Sequence, residues 1–239
     1  MTNRIAKTSP LIYARVAGFV YLITIITNIL AVVFLDSKLL VPGNAAATFN
    51  NIMANELLFR VGIAYNLIMF ASVVLLSWAL YVILKTVNKN LALLALLWRL
   101  VEAAVGCLMV LSSLIVLLLL NGEIYSAVFE TEQLQALVGL LVGVSSAALS
   151  ILFVFLSLGT IVFCYLFFKS RYIPRVLSAF GIFSFLLALI GTFVSILIPN
   201  IAVMVFAAPA GLFELVIGLW LLLKGVNVEQ WEQRALKSA

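Results

Sequence analysis

Residues 91–120 read LALLALLWRLVEAAVGCLMVLSSLIVLLLL, thirty positions of which only Arg99 and Glu102 are charged. About 20 mostly apolar residues suffice for a helix to cross the hydrocarbon layer of a membrane. Apolarity this unbroken, without alternation, selects a helix over a strand. A backbone in hydrocarbon must also satisfy its own polar groups, which helices do internally. Working outward, five further runs have the same character: Ile12 to Leu35, Leu57 to Leu84, Leu134 to Phe168, Ile173 to Ile198 and Ile201 to Leu223. The expectation is an all-α polytopic membrane bundle of about six transmembrane helices, forming a single transmembrane domain over residues 1–239.

Composition leads to the same reading. The 239 residues are 66% hydrophobic and 10% charged, whereas soluble domains carry about 25% charged residues. Arg4 and Lys7 ahead of the first run resemble the start of a signal peptide. The run from Val16 to Leu35 is, however, longer than a signal core of about 7–15 residues, and it is expected to be retained.

Basic residues set the expected orientation. Eleven of the fourteen fall on one side: Arg4, Lys7, Arg15, Lys85, Lys89, Lys169, Arg171, Arg175, Lys224, Arg234 and Lys237. Lys38 and Arg60 fall on the other, with Asp36, Glu56, Glu123, Glu130 and Glu132. Both termini are therefore expected in the cytoplasm, with the chain in the cytoplasmic (inner) membrane. The net charge of +5 then faces anionic headgroups, and membrane lipids rather than nucleic acid are the expected partners.

Between the first two runs, Pro42-Gly43 marks a turn and Asn44 is placed to cap a short outer interfacial helix over 45–54. The tail, residues 226–239, mixes Trp231 with charges and reads as an interfacial helix with the indole at headgroup level.

The chain has no histidine and two cysteines, Cys107 and Cys164. That excludes His-based metal or haem sites and the Ser-His and Cys-His catalytic units. No metal and no cofactor is indicated, and both cysteines read as packing residues.

Chemistry is confined to a few polar side chains inside the apolar runs. Arg99 and Glu102 share a helix face at i, i+3 spacing, and Glu214 stands alone in the sixth run. Helical rise puts Arg99 and Glu214 each about 14–15 Å from the cytoplasmic edge, near the bilayer midplane. One arginine facing two carboxylates leaves one glutamate to hold a proton or meet a cationic ligand. Arg60 is a shallower candidate for the same site. Asn28, with Thr24 and Thr27, and Asn66 are candidates to line a polar interior. Pro209 removes the amide that would bond the Val205 carbonyl and is expected to kink the sixth helix.

Several stretches resemble a bacterial membrane family, domain of unknown function 4386. They are Ala14-Arg15-Val16-Ala17-Gly18, Val41 through Ala47 to Asn51, Leu58-Phe59-Arg60, Leu80-Tyr81 and Arg99-Leu100-Val101-Glu102. Gln133 to Leu137, Pro174-Arg175-Val176-Leu177, and Pro209 through Glu214 to Leu221-Leu222, then Lys224-Gly225, follow in order. The resemblance implies a six-helix bundle, carries no activity over, and places Arg60, Arg99, Glu102 and Glu214 among recurring polar positions.

The residues leave three functional expectations open. One is a small-ligand or proton-linked binding or transport bundle. The second is a non-catalytic membrane scaffold or partner-binding subunit in which the charges only fix helix packing. The third, an intramembrane lipid-modifying enzyme, has no nucleophile–base pair beyond serine and glutamate to draw on.

Overall fold

A computed structural model describes residues 9–121, 128–198 and 203–237. Arg4, Lys7, Glu123 and Ile201, used above for orientation and for the start of the sixth run, lie outside the described residues. The chain is all-α, with no strand among the described residues. Its helices are α1 (Pro10–Leu39, passing through a wider π turn at Val32–Asp36), α2 (Ala45–Ala54), α3 (Glu56–Leu84) and α4 (Lys89–Asn121). They continue with α5 (Thr131–Ser170), α6 (Arg175–Leu197), α7 (Val203–Leu223) and α8 (Val228–Lys237). Six of these, all but α2 and α8, are long and apolar enough to cross a membrane.

Local chemistry sets the boundaries. The Asn44 side chain accepts from Ala47 N at 2.9 Å and starts α2. Asn88 does the same for Leu91 N at 3.0 Å before α4, and Asn227 for Gln230 N at 3.0 Å before α8. Each takes an amide that the first helical turn leaves without a partner. Pro174 precedes α6, so that helix begins at Arg175 rather than at Ile173; proline holds the extended entry into a helix well. Left-handed residues close α5 and α7, Arg171 at φ 59° and Gly225 at φ 71°. Several helices outrun the apolar runs that announced them, α5 by three residues at its start and two at its end. Polar residues such as Glu132 and Lys169 cost nothing in a helix once it has left the hydrocarbon.

The contacts divide the chain into two compact units. The first contains Met1–Ile25, Ser72–Val101 and Phe153–Ala239. Its core is built on Ala14, Ala17, Tyr21, Leu80, Phe163, Phe167, Phe185, Phe213 and Ile217. Close helix approach replaces the hydrophobic effect as the organising force in lipid. Gly18 of α1 lies against the backbone of α7 at Gly218, Leu221 and Leu222. Gly181 of α6 accommodates the Phe213 ring and the Cys164 Sγ. Phe213 also meets Phe185 edge-on, with centroids 6.0 Å apart at 89°.

The tail closes this unit. Trp231 is buried, and its Nε1 donates to the Ile83 carbonyl at 3.1 Å. Asn227 N donates to Tyr172 O at 2.9 Å, and Arg234 Nη2 to Lys169 O at 3.2 Å. The indole thus packs inside the unit rather than standing free: carbonyls at the ends of α3 and α5 need donors, and α8 supplies them.

The second unit contains Ile26–Ala71 and Glu102–Leu152. Its smaller core joins Leu39, Phe49, Ile52, Val116, Leu134 and Val138. The Ser112 hydroxyl donates across helices to Leu141 O at 2.9 Å, and Gly139 lets Ala45 come close.

Candidate functional site

The deepest charge of the first unit is Arg99, on α4 and 3% exposed. Small residues make room for it. A Cβ at Gly159 would fall 2.9 Å from Arg99 Cγ and 3.0 Å from Cδ, so the arginine stem runs through the space left by that glycine. The stem ends in a guanidinium whose Nε donates to Ser77 Oγ at 3.4 Å. Ser77 is fully buried on α3 and donates in turn to Val73 O at 2.7 Å. The hydroxyl is thus held by its own helix with its lone pairs turned to the cation. Glu102 follows one turn later on α4, also 3% exposed, at the point where the helix enters the second unit.

Glu214 reaches the first unit from α7. Along that helix Ala210, Ile217, Gly218 and Leu221 are buried, and positions four before and three, four and seven after Glu214 define one face. Glu214 therefore sits on the stripe turned inward, with partial exposure. Gly211 and Gly218, one turn to either side, lie against Ile25 and against Tyr21 and Leu22 of α1. Arg99 and Cys164 are within electrostatic range of the carboxylate. Among the described residues no hydrogen bond and no close ion pair ties Glu214 down. Pro209 lies inside α7, five residues ahead of it, and the helix continues through it.

Three further buried hydroxyls in this unit, Ser157, Thr160 and Ser184, escaped the sequence reading. Ser157, Thr160 and Cys164 form one buried stripe of α5, and Ser184 is fully buried on α6. The hydroxyls of Ser157 and Ser184 have no hydrogen-bond partner among the described residues. The legible signal was the i, i+3, i+7 spacing of Ser157, Thr160 and Cys164, which reads as packing in a run of small residues.

The remaining candidates belong to the second unit. Arg60 is exposed, and its Nε bonds Glu56 Oε1 at 2.7 Å; Asn121 Nδ2 donates to the same oxygen at 3.2 Å. An exposed pair four residues apart adds little to stability, because water and salt screen it. Asn66 is partly buried, whereas Asn28 is exposed. Thr27 and Asn28 flank the Tyr65 hydroxyl. Of the six candidates, Arg99 and Glu214 fall within the first unit, with Glu102 one turn beyond Arg99; Arg60, Asn66 and Asn28 do not. No group of three or more metal-ligating side chains is present among the described residues.

The family described as "Domain of unknown function (DUF4386)" matches residues 16–225. The chain belongs to that family. The match spans all six crossing helices apart from the first residues of α1, and with them Ser77, Arg99, Glu102 and Glu214. No curated protein and no solved structure matches the chain.

Chemically, the arrangement pairs a fixed cation with a carboxylate that is near it but not bonded to it. Such a pair can exchange a proton or bind a small polar group between its members.

Proposed function

We propose that this multi-pass membrane protein binds, and through binding moves, a small ligand or a proton at the Arg99–Glu214 centre. Arg99 is the fixed charge, oriented by Ser77, and Glu214 is the group that takes the proton or the ligand. The observation that carries the reading is Glu214: a carboxylate on the inward stripe of α7, in electrostatic range of Arg99, without a hydrogen bond among the described residues. Ionisable groups at such depth are costly and belong by default to ligand or proton pathways. The basic asymmetry supports an orientation with both termini in the cytoplasm and a place in the bacterial inner membrane.

The test uses purified protein in liposomes, with internal pH and the infrared carbonyl band of a protonated carboxyl group as readouts. Glu214→Gln is expected to remove one carboxyl band and any pH-coupled uptake found in a ligand screen. An unchanged spectrum and an unchanged screen would end this reading.

A second reading has its own support. Arg99 bonds to Ser77 across two helices and fits the gap at Gly159, which is also what a packing device requires. On that reading the combined change Arg99→Met, Glu102→Leu and Glu214→Leu keeps the protein stable in detergent and functionally unaltered. On the ligand reading the same variant is stable and inert.

A further inference from the structure

The lipid-facing surface of the first unit carries an apolar groove of about 420 Å³ walled by Tyr165 and Phe168 of α5 and Ala179, Ile182, Phe183 and Leu186 of α6. The α6 residues recur at i, i+3, i+4 and i+7, one face of a helix. From Ala179 to Leu186 the groove runs about 10 Å into the membrane by helical rise. Its mouth is cationic. Arg175 lies one turn before Ala179, and its guanidinium sits 5.2 Å above the centre of the Phe168 ring that walls the groove. Lys169 in the last turn of α5 and Arg171 on the connection to α6 are exposed, and no acidic residue occurs in the first turn of α6.

Hydrocarbon along the groove and positive charge at its mouth fit an amphiphile of one kind. We propose that an anionic phospholipid occupies this groove, one acyl chain between Phe168 and Phe183 and its phosphate at Arg175. A zwitterionic lipid fills the apolar part equally well, but its own cation offsets the phosphate charge that the arginine attracts. Stacking on Phe168 holds the guanidinium at the groove mouth, so the charge is placed before the lipid arrives. A basic residue at a membrane surface favours an anionic headgroup about fivefold.

The experiment is native mass spectrometry of the delipidated full chain, offered equal amounts of phosphatidylglycerol and phosphatidylcholine with identical acyl chains. Phosphatidylglycerol is expected to be retained about fivefold over phosphatidylcholine. Arg175→Gln is expected to bring that ratio close to one, and Arg175→Lys to preserve most of it. Ala179→Trp, which fills the groove, is expected to lower retention of both lipids. Thermal melting in detergent checks that each variant is folded. A wild-type ratio near one, or a ratio unchanged by Arg175→Gln, would overturn the proposal. Undiminished lipid retention in Ala179→Trp with loss of a dimer would also overturn it, by giving the groove to a second copy of the chain.

Discussion

Replacing Gly18 by alanine tests a close backbone contact between two helices of the first unit. A Cβ at that position would lie 2.7 Å from Gly218 O and 2.9 Å from Leu221 C, with Leu222 N nearer still. All three are backbone atoms, so no side chain can swing aside. Ordinary contact begins at 3.4 Å, so α1 and α7 must part by about 1 Å. A gap of that size forfeits up to about half of each contact's well of about 0.1–0.2 kcal/mol. Across about 40 atom pairs, the number one buried leucine makes, the loss is at most about 2–4 kcal/mol, which overlaps the range of about 1–3 kcal/mol for other overpacked cores. Unfolding in mixed micelles by increasing denaturing detergent measures it. Gly143→Ala is the reference, because nothing lies within 4 Å of a Cβ there. It is expected to be neutral or to gain from helix propensity, up to about 1 kcal/mol. Equal stability of Gly18→Ala and wild type would show that α1 and α7 do not meet as described.

Two further predictions concern the tail. The Ile83 carbonyl accepts from both Trp231 Nε1 and Thr86 Oγ1, so Trp231→Phe removes one of its two donors and is expected to cost about 1 kcal/mol; hydrogen exchange should rise across Val228–Lys237 and stay unchanged in α7. The Tyr172 phenol accounts for a pH effect. Burial pushes its pKa above the ordinary 10.0, although its bond with Thr86 and the charge of Arg234 act the other way. Below pH 10 it is neutral whether folded or unfolded, so its contribution is complete there and is lost as pH rises through the folded-state value. Tail protection should therefore fall above pH 10, and Tyr172→Phe should flatten that fall. An equally steep fall in the variant would assign the effect to other groups.

How much of this was legible from the residues follows from what each signal measures. Apolar length alone locates helices, because hydrocarbon leaves the backbone no alternative, and all six crossing helices were read from it. Asn44 announced α2 because a cap acts within three residues. Arg99 and Glu102 were recognisable as buried because the cost of burial is intrinsic to a charge. Ser77 was not legible as the partner of Arg99: a serine in a membrane helix usually bonds its own backbone, as Ser77 also does. Trp231 shows a related limit. An indole beside charges suits an interface in general, and only the location of the Ile83 carbonyl, set by tertiary structure, decides that its ring packs against the end of α3. Arg60 and Asn28 show the same limit, since polarity marks a residue as notable without saying which neighbours it acquires.

The length of α5 bears on how the second unit is held together. Its 40 residues rise about 60 Å, against a hydrocarbon layer of about 30 Å. A helix of that length leaves turns outside the layer, and an end that leaves it meets water. If that end is the one carrying Leu134 and Val138, the small core they form with Phe49 and Ile52 of α2 coheres by expelling water, as in a soluble protein. Urea and stabilising osmolytes should act on that core while leaving the glycine-packed contacts of α1 and α7 largely indifferent, so one chain answers to two solvents.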